Sequence, residues 1–200
     1  MSLEFMDALK NRRSYYQLSD EKVVPEARIE EIVKDTLLCM PSSFNAQSTR
    51  IVLFFGEEHK KLWSITLDAL REVMDGDRFP ATQTKISESF LSGYGTILYF
   101  EDTSVVNGLS NKYPLYAAKF PVWSQHTNAM HQIAIWTALE AEGLGVSLQH
   151  YNPLMDEKIR EEWNIPSDWQ HIAQMPFGKP LDKPADKDLN GTDMHLKVFR

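Results

Sequence analysis

The residues best equipped for chemistry are Arg12, Arg13 and Ser14, two guanidiniums and a hydroxyl within three positions at the end of an amphipathic segment. Guanidinium forks hold phosphate bidentately, so the chemistry they suggest is the grip of an oxyanion. The same arginines could instead be helix C-terminal cations that complement the macrodipole. Two other stretches are polar and turn-rich. "PSSFNAQ" at Pro41–Gln47 offers small hydroxyl and amide groups, and such a loop could also be an ordinary cap to the next strand. "SLQHYNP" at Ser147–Pro153 offers backbone amides beside Gln149 and His150.

Other chemistries find no support. There is no G-x-G-x-x-G, no phosphate-binding P-loop and no H-E-x-x-H, and no nucleophile elbow. His126 and His131 are five apart, off one helical face, and read as structural or interface histidines. Cys39 is the only cysteine, which excludes an internal disulfide framework; it reads as a small buried apolar residue. The net charge of −7 argues against non-specific nucleic-acid binding. Any anionic ligand therefore needs a local basic cluster. No secretory signal is visible, and no stretch approaches the ~18 apolar residues of a membrane span, so a cytoplasmic location is expected.

The elements that must position these residues follow from periodicity. Leu3–Lys10 has Phe5, Ala8 and Leu9 at helical spacing. A second helix should run from Pro25 to Cys39, with Ile29, Ile32, Val33, Thr36 and Leu37 as its core stripe. "IVLFF" at Ile51–Phe55 reads as a buried strand, His59–Met74 as a helix, "DGDRFPATQ" as a loop, Lys85–Leu91 as a short helix and Thr96–Phe100 as a strand. Residues 103–122 carry no clear pattern. Thr127–Glu142 is apolar nearly all round and must be buried on most sides, in a core or a subunit interface. Strands at Gly145–Tyr151 and His171–Gly178 flank a short helix at Pro153–Trp163, and an extended tail starts at Lys179. With 42% hydrophobic and 24% charged residues over 200 positions, the chain reads as one domain of α+β class, a small sheet with helices around it.

Taken in order, "NRRSYY", "PSSFNAQ" and "EGLGVSLQHYNP" resemble the FMN-dependent nitroreductase family. The runs "ALEAEGLGVSLQHYNP" and "WNIPSDW" are most similar to the subgroup of fungal fatty-acid-responsive nitroreductase-like proteins and short bacterial relatives. That resemblance implies a nitroreductase-like fold, a small mixed or antiparallel sheet in an intimate homodimer with two flavins at the interface. It implies that Arg12, Arg13 and Ser14 grip the phosphate and ribityl chain of FMN, with Tyr16 near the pyrimidine edge where relatives place a cation. Pro41, Ser42, Ser43 and Asn45 would face the partner's flavin. Leu148, Gln149 and His150 would run along the N5 side, mainly through backbone amides, and Lys187, or else Lys183, would reach the phosphate. The implied activity is NAD(P)H oxidation coupled to reduction of nitroaromatics or quinones by ping-pong hydride transfer through flavin N5. The cofactor carries that chemistry, without a catalytic side chain. The altered Tyr16, Gln149 and His150 leave open a flavin-binding regulatory or storage protein with little turnover. A flavin-processing enzyme of the same fold is a third possibility.

Overall fold

A computed structural model describes residues 4–188, 191 and 195–200. Its elements are α1 (Phe5–Asn11), β1 (Leu18–Ser19), α2 (Glu26–Cys39), β2 (Thr49–Phe55), α3 (Gly56–Val73), α4 (Phe79–Ile86), β3 (Gly95–Asp102), α5 (Thr103–Lys112), α6 (Phe120–Ala141), β4 (Gly145–Val146), α7 (Asp156–Trp163) and β5 (Trp169–Pro180). The sheet has the order β1-β5-β3-β2, with β4 also paired to β5, and every pairing is antiparallel. This is the expected α+β class, an antiparallel sheet among helices.

Burial explains the arrangement. All eight residues of β3 are buried, as a strand covered on both faces must be. One face packs Ile97 and Tyr99 with Ile29, Ile32 and Val33 of α2 and Ile135, Trp136 and Leu139 of α6. The other packs Leu98 and Phe100 with Leu62 and Ala69 of α3 and Ile159 of α7. The middle of the sheet therefore lies between α2 and α6 on one side and α3 and α7 on the other. At its edge, β1 approaches β5 closely because Gly178 lacks a side chain: a Cβ there would stand 2.5 Å from Ser19 O.

Several expectations are corrected by the elements. The loop expected at 75–83 contains the start of α4, because Pro80 falls in its first turn, where the missing N–H costs nothing. The segment continues as a π-helical turn at Ser87–Leu91. Residues 103–122 hold α5, whose N-cap Asp102 accepts from the N–H groups of Ser104 and Val105, and the first turn of α6, again opened by proline. The strand expected over 145–151 pairs regularly only at Gly145–Val146. Beyond it a single bridge joins Gln149 to Gln174. Cys39 is exposed rather than buried, at the end of α2 beside Leu38, itself 83% exposed. Leu3 of the expected first helix lies outside the described residues.

His59 anchors α3 to the sheet. Its ring is buried, with Nδ1 2.8 Å from Thr96 Oγ1 and Nε2 3.3 Å from Leu91 O. Burial pulls its pKa down to about 4. The unfolded chain binds a proton at this position below about pH 6.5, whereas the folded chain binds one only near pH 4. The stabilisation by neutral His59 is thus complete above pH 6.5 and lost as pH falls toward 4, by about 3 kcal/mol over the window. Urea unfolding at pH 7, 5.5 and 4 should show a shallower acid loss in His59→Gln than in the parent; parallel curves would contradict this.

Candidate functional site

The first motif follows the end of α1, where Arg12 caps the helix through its N–H to Ala8 O. The chain then runs extended beside β4. Ser14 bridges Val146 in parallel, and Tyr15 N–H donates to Val146 O at 2.9 Å. The first and third motifs are thereby joined by backbone. β5 ends at Pro180, and the tail that follows returns over the first motif, with the Arg13 guanidinium donating to Ala185 O. Between tail and motif lies a cleft of about 480 Å³, whose charged lining residues are Arg13, Lys183, Lys187 and Asp182, beside Ser14, Tyr15 and Tyr16. Three cations against one carboxylate make this a basic pocket in a chain of net charge −7. Both tail lysines considered from the sequence, Lys183 and Lys187, line it.

The two arginines part ways. Arg13 lines the cleft. Arg12 turns onto α6, its guanidinium 4.3 Å from the centroid of the Trp136 ring. Around it, Arg12 Nε, Trp136 Nε1 and Glu140 Oε2 are buried without a hydrogen-bond partner among the described residues. Burial pushes the Glu140 carboxyl upward, against the opposing pull of a long 3.5 Å hydrogen bond from Tyr15 and the charge of Arg12. Unpaired buried polar atoms are costly. Tyr16 is half exposed at the cleft mouth, with its ring 6.5 Å from that of Phe90.

The second motif stands apart from this cleft. Ser42 lines a cavity of about 360 Å³ with Leu37, Leu38, Arg50 and His131, and Ser43 lines a tight gap against Phe120 and Trp123. Pro41 and Asn45 are exposed. The loop is held in a demanding shape: Phe44, Asn45 and Gln47 all have positive φ, a region that costs non-glycine residues energy. Ser42 Oγ accepts from Gln47 N–H at 3.0 Å. The Phe44 ring nests among Tyr113, Tyr116, Phe120 and Trp123. Below the loop, buried Glu101 accepts from Ser48 Oγ at 2.6 Å, Thr49 Oγ1 at 2.7 Å and Asn128 Nδ2 at 2.9 Å. Those donors satisfy a carboxylate that has no ion-pair partner among the described residues.

In the third motif Gln149 N–H donates to Gln174 O at 2.7 Å, so that amide is committed to the sheet. Antiparallel alternation turns the flanking amides of Leu148 and His150 away from β5. Leu148 packs partly into the core and His150 is exposed. His131 is buried with Nδ1 2.9 Å from Thr127 O, a structural role, while His126 is exposed. No group of His, Cys, Asp or Glu suited to a metal occurs among the described residues. Sequence reasoning missed Trp136, Glu140 and Glu101. The only hint was a tryptophan within a helix that is apolar nearly all round.

Comparison with known proteins bears on the family and the fold. The nitroreductase family model matches residues 9–179. The chain is 34% identical over 188 residues to the nitroreductase FRM2 of Saccharomyces cerevisiae, covering 92% of this chain and 91% of that one. It superposes with a TM-score of 0.90 on the nitroreductase CinD of Lactococcus lactis in complex with chloramphenicol, at 34% identity, covering 98% of this chain and 100% of that one. A nitroreductase with bound FMN from Desulfitobacterium hafniense shares the fold, with a TM-score of 0.72 over the full length of both chains at 14% identity.

The split between the arginines predicts different consequences. Arg12→Ala should lower the melting temperature by roughly 2–6 °C, from loss of a partly desolvated cation–π pair. Arg13→Ala should leave it within about 1 °C, as surface substitutions do. Thermal denaturation of the two single variants distinguishes them; equal losses would mean that Arg13 is as structural as Arg12.

Proposed function

Because the chain belongs to the nitroreductase family, we propose that it is an FMN-dependent NAD(P)H oxidoreductase acting on nitroaromatic or quinone acceptors. The observation that carries this reading is the basic cleft between the first motif and the tail. Arg13, Lys183 and Lys187 present cationic donors and Ser14 a hydroxyl, a donor set suited to a phosphate monoester. Arg12, next in sequence but turned onto α6, has its Nε buried without a hydrogen-bond partner among the described residues. These residues fit FMN. Bound FMN would supply the redox chemistry, accepting hydride from a nicotinamide and passing electrons to the acceptor. The chain's own work is to grip the phosphate through Arg13, Ser14 and the tail lysines, and to offer the free amides of Leu148 and His150 to the ring. The CinD complexes with chloramphenicol and 4-nitrophenol support a nitroaromatic acceptor.

The functional unit in this reading is a homodimer of one-domain subunits. Pro41, Ser42, Ser43 and Asn45 stand apart from the chain's own cleft, as residues meant for a partner's flavin would. Met130 and Ile133 of α6 and Leu37 and Leu38 of α2 leave an exposed apolar surface of the kind a second copy would cover. No described helix is long and apolar enough to cross a membrane, which is compatible with a cytoplasmic site of action.

Two measurements test the proposal. Purified protein mixed with FMN and titrated anaerobically with NADH and with NADPH should lose its flavin absorbance with one or both. Protein that binds FMN yet resists both donors would favour the regulatory or storage reading, and steady consumption of FMN itself would favour a flavin-processing enzyme. Arg13→Ala should weaken FMN binding about ten- to a hundredfold, the worth of a charge-assisted hydrogen bond of roughly 1.5–3 kcal/mol. Unchanged retention would place the phosphate elsewhere.

A further inference from the structure

A second cavity, of about 380 Å³, opens next to the basic cleft and is lined by Tyr16, Gln17, Glu88, Ser89 and Leu181. Tyr16 and Gln17 line both, so the two form one groove running from Lys187 past Tyr16 to Glu88. The groove is bipolar. Arg13, Lys183 and Lys187 stand at one end, while the far cavity has a carboxylate and no cation among its lining residues. The nearest lysine in sequence, Lys85, carries its ammonium over the Phe90 ring at 5.9 Å. No ion pair or hydrogen bond involves the Glu88 carboxylate among the described residues. Glu88 lies in the π-helical turn Ser87–Leu91. That turn is pinned by the fully buried Phe90, whose ring packs tilted against Trp63 with centroids 4.9 Å apart, and by Ser92 Oγ donating to Glu88 O at 2.7 Å. Such wide turns inside helices recur at functional sites.

We infer that Glu88 is a specificity-determining residue of this groove, accepting the imide N–H of a flavin ring whose phosphate lies among Arg13, Lys183 and Lys187. A carboxylate only accepts hydrogen bonds, so this end of the groove selects a ligand that carries an N–H donor opposite its anionic group. FMN has that polarity. The same carboxylate disfavours negative charge on the ring, and the other polar groups there, Tyr16, Gln17 and Ser89, offer hydroxyl and amide groups but no compensating cation. The bound flavin is therefore harder to reduce than one facing a lysine. The inference rests on the FMN reading above.

The test compares the parent protein with Glu88→Gln, Glu88→Lys and Glu88→Ala, all at an exposed position where folding is spared. Midpoint potentials of bound FMN are measured alongside dissociation constants for FMN and for FMN methylated at the imide nitrogen. Glu88→Lys should raise the ratio of reduced to oxidised FMN affinity about tenfold, equivalent to about 30 mV for a two-electron couple, and Glu88→Gln should move it part of the way. The parent should bind the methylated flavin about tenfold more weakly than FMN, whereas Glu88→Ala should bind the two alike. Parent protein that takes up no FMN would overturn the FMN reading and this inference together. FMN binding with an affinity ratio untouched by Glu88→Lys, or with equal discrimination in Glu88→Ala, would overturn the role of Glu88 alone.

Discussion

One backbone hydrogen bond, from Tyr15 N–H to Val146 O at 2.9 Å, fixes the place of everything around the cleft. It fastens the segment after α1 to the segment after α6, more than a hundred residues later, and starts the chain along the sheet edge. From there β1 pairs with the last residues of β5. Because β5 ends against β1, the tail emerges beside the first motif and can fold back over it. Two walls of the cleft thus come from opposite ends of the chain, and a single strand pairing sets their spacing. Gly178 is where this arrangement is tightest, since β1 could not lie so close to a strand bearing a side chain there.

The sequence made the sheet's centre and its long helices legible because their signals are local. α2, α3 and α6 carry long apolar periodicities, and β2 and β3 are short apolar runs closed by turn residues. Elements that escaped notice owe their form to single residues. Pro80 and Pro121 open helices instead of breaking them, and Asp102 caps α5 from the last position of a buried strand. The region 147–150 read as a strand from its composition, but its pairing with β5 is interrupted beyond β4, which no local pattern shows. At the site, the pairing of two arginines was legible and their division of labour was not. Arg12 faces inward because Trp136, far away in sequence, offers it an aromatic face; periodicity identifies the helix but not the partner.

The loop at 41–47 illustrates how a strained segment is kept. Its three positive-φ residues would relax in a free peptide. Here they are held from two sides, by the aromatic nest around Phe44 and by the Glu101 network that ties Ser48 and Thr49 to Asn128 of α6. A buried carboxylate without a cation is worth retaining only when each donor is in place, so the network is demanding about geometry as well as tight. The consequence is a loop held in one shape, with Asn45 exposed and Ser42 and Ser43 half-buried. That fits the dimeric reading better than a loop serving only to cap β2.

Electrostatics sharpens the same picture. A chain of net charge −7 repels an anion at long range, yet within a Debye length of about 8–10 Å the local charges decide. The cleft gathers Arg13, Lys183 and Lys187 around one cavity, so attraction begins only near the mouth and favours a ligand small enough to enter. Farther along the groove the sign reverses at Glu88. A ligand that is anionic throughout is therefore held at one end and repelled at the other. One that is anionic at its phosphate and hydrogen-donating at its ring satisfies both ends, and the orientation is set by charge before any shape complementarity is required.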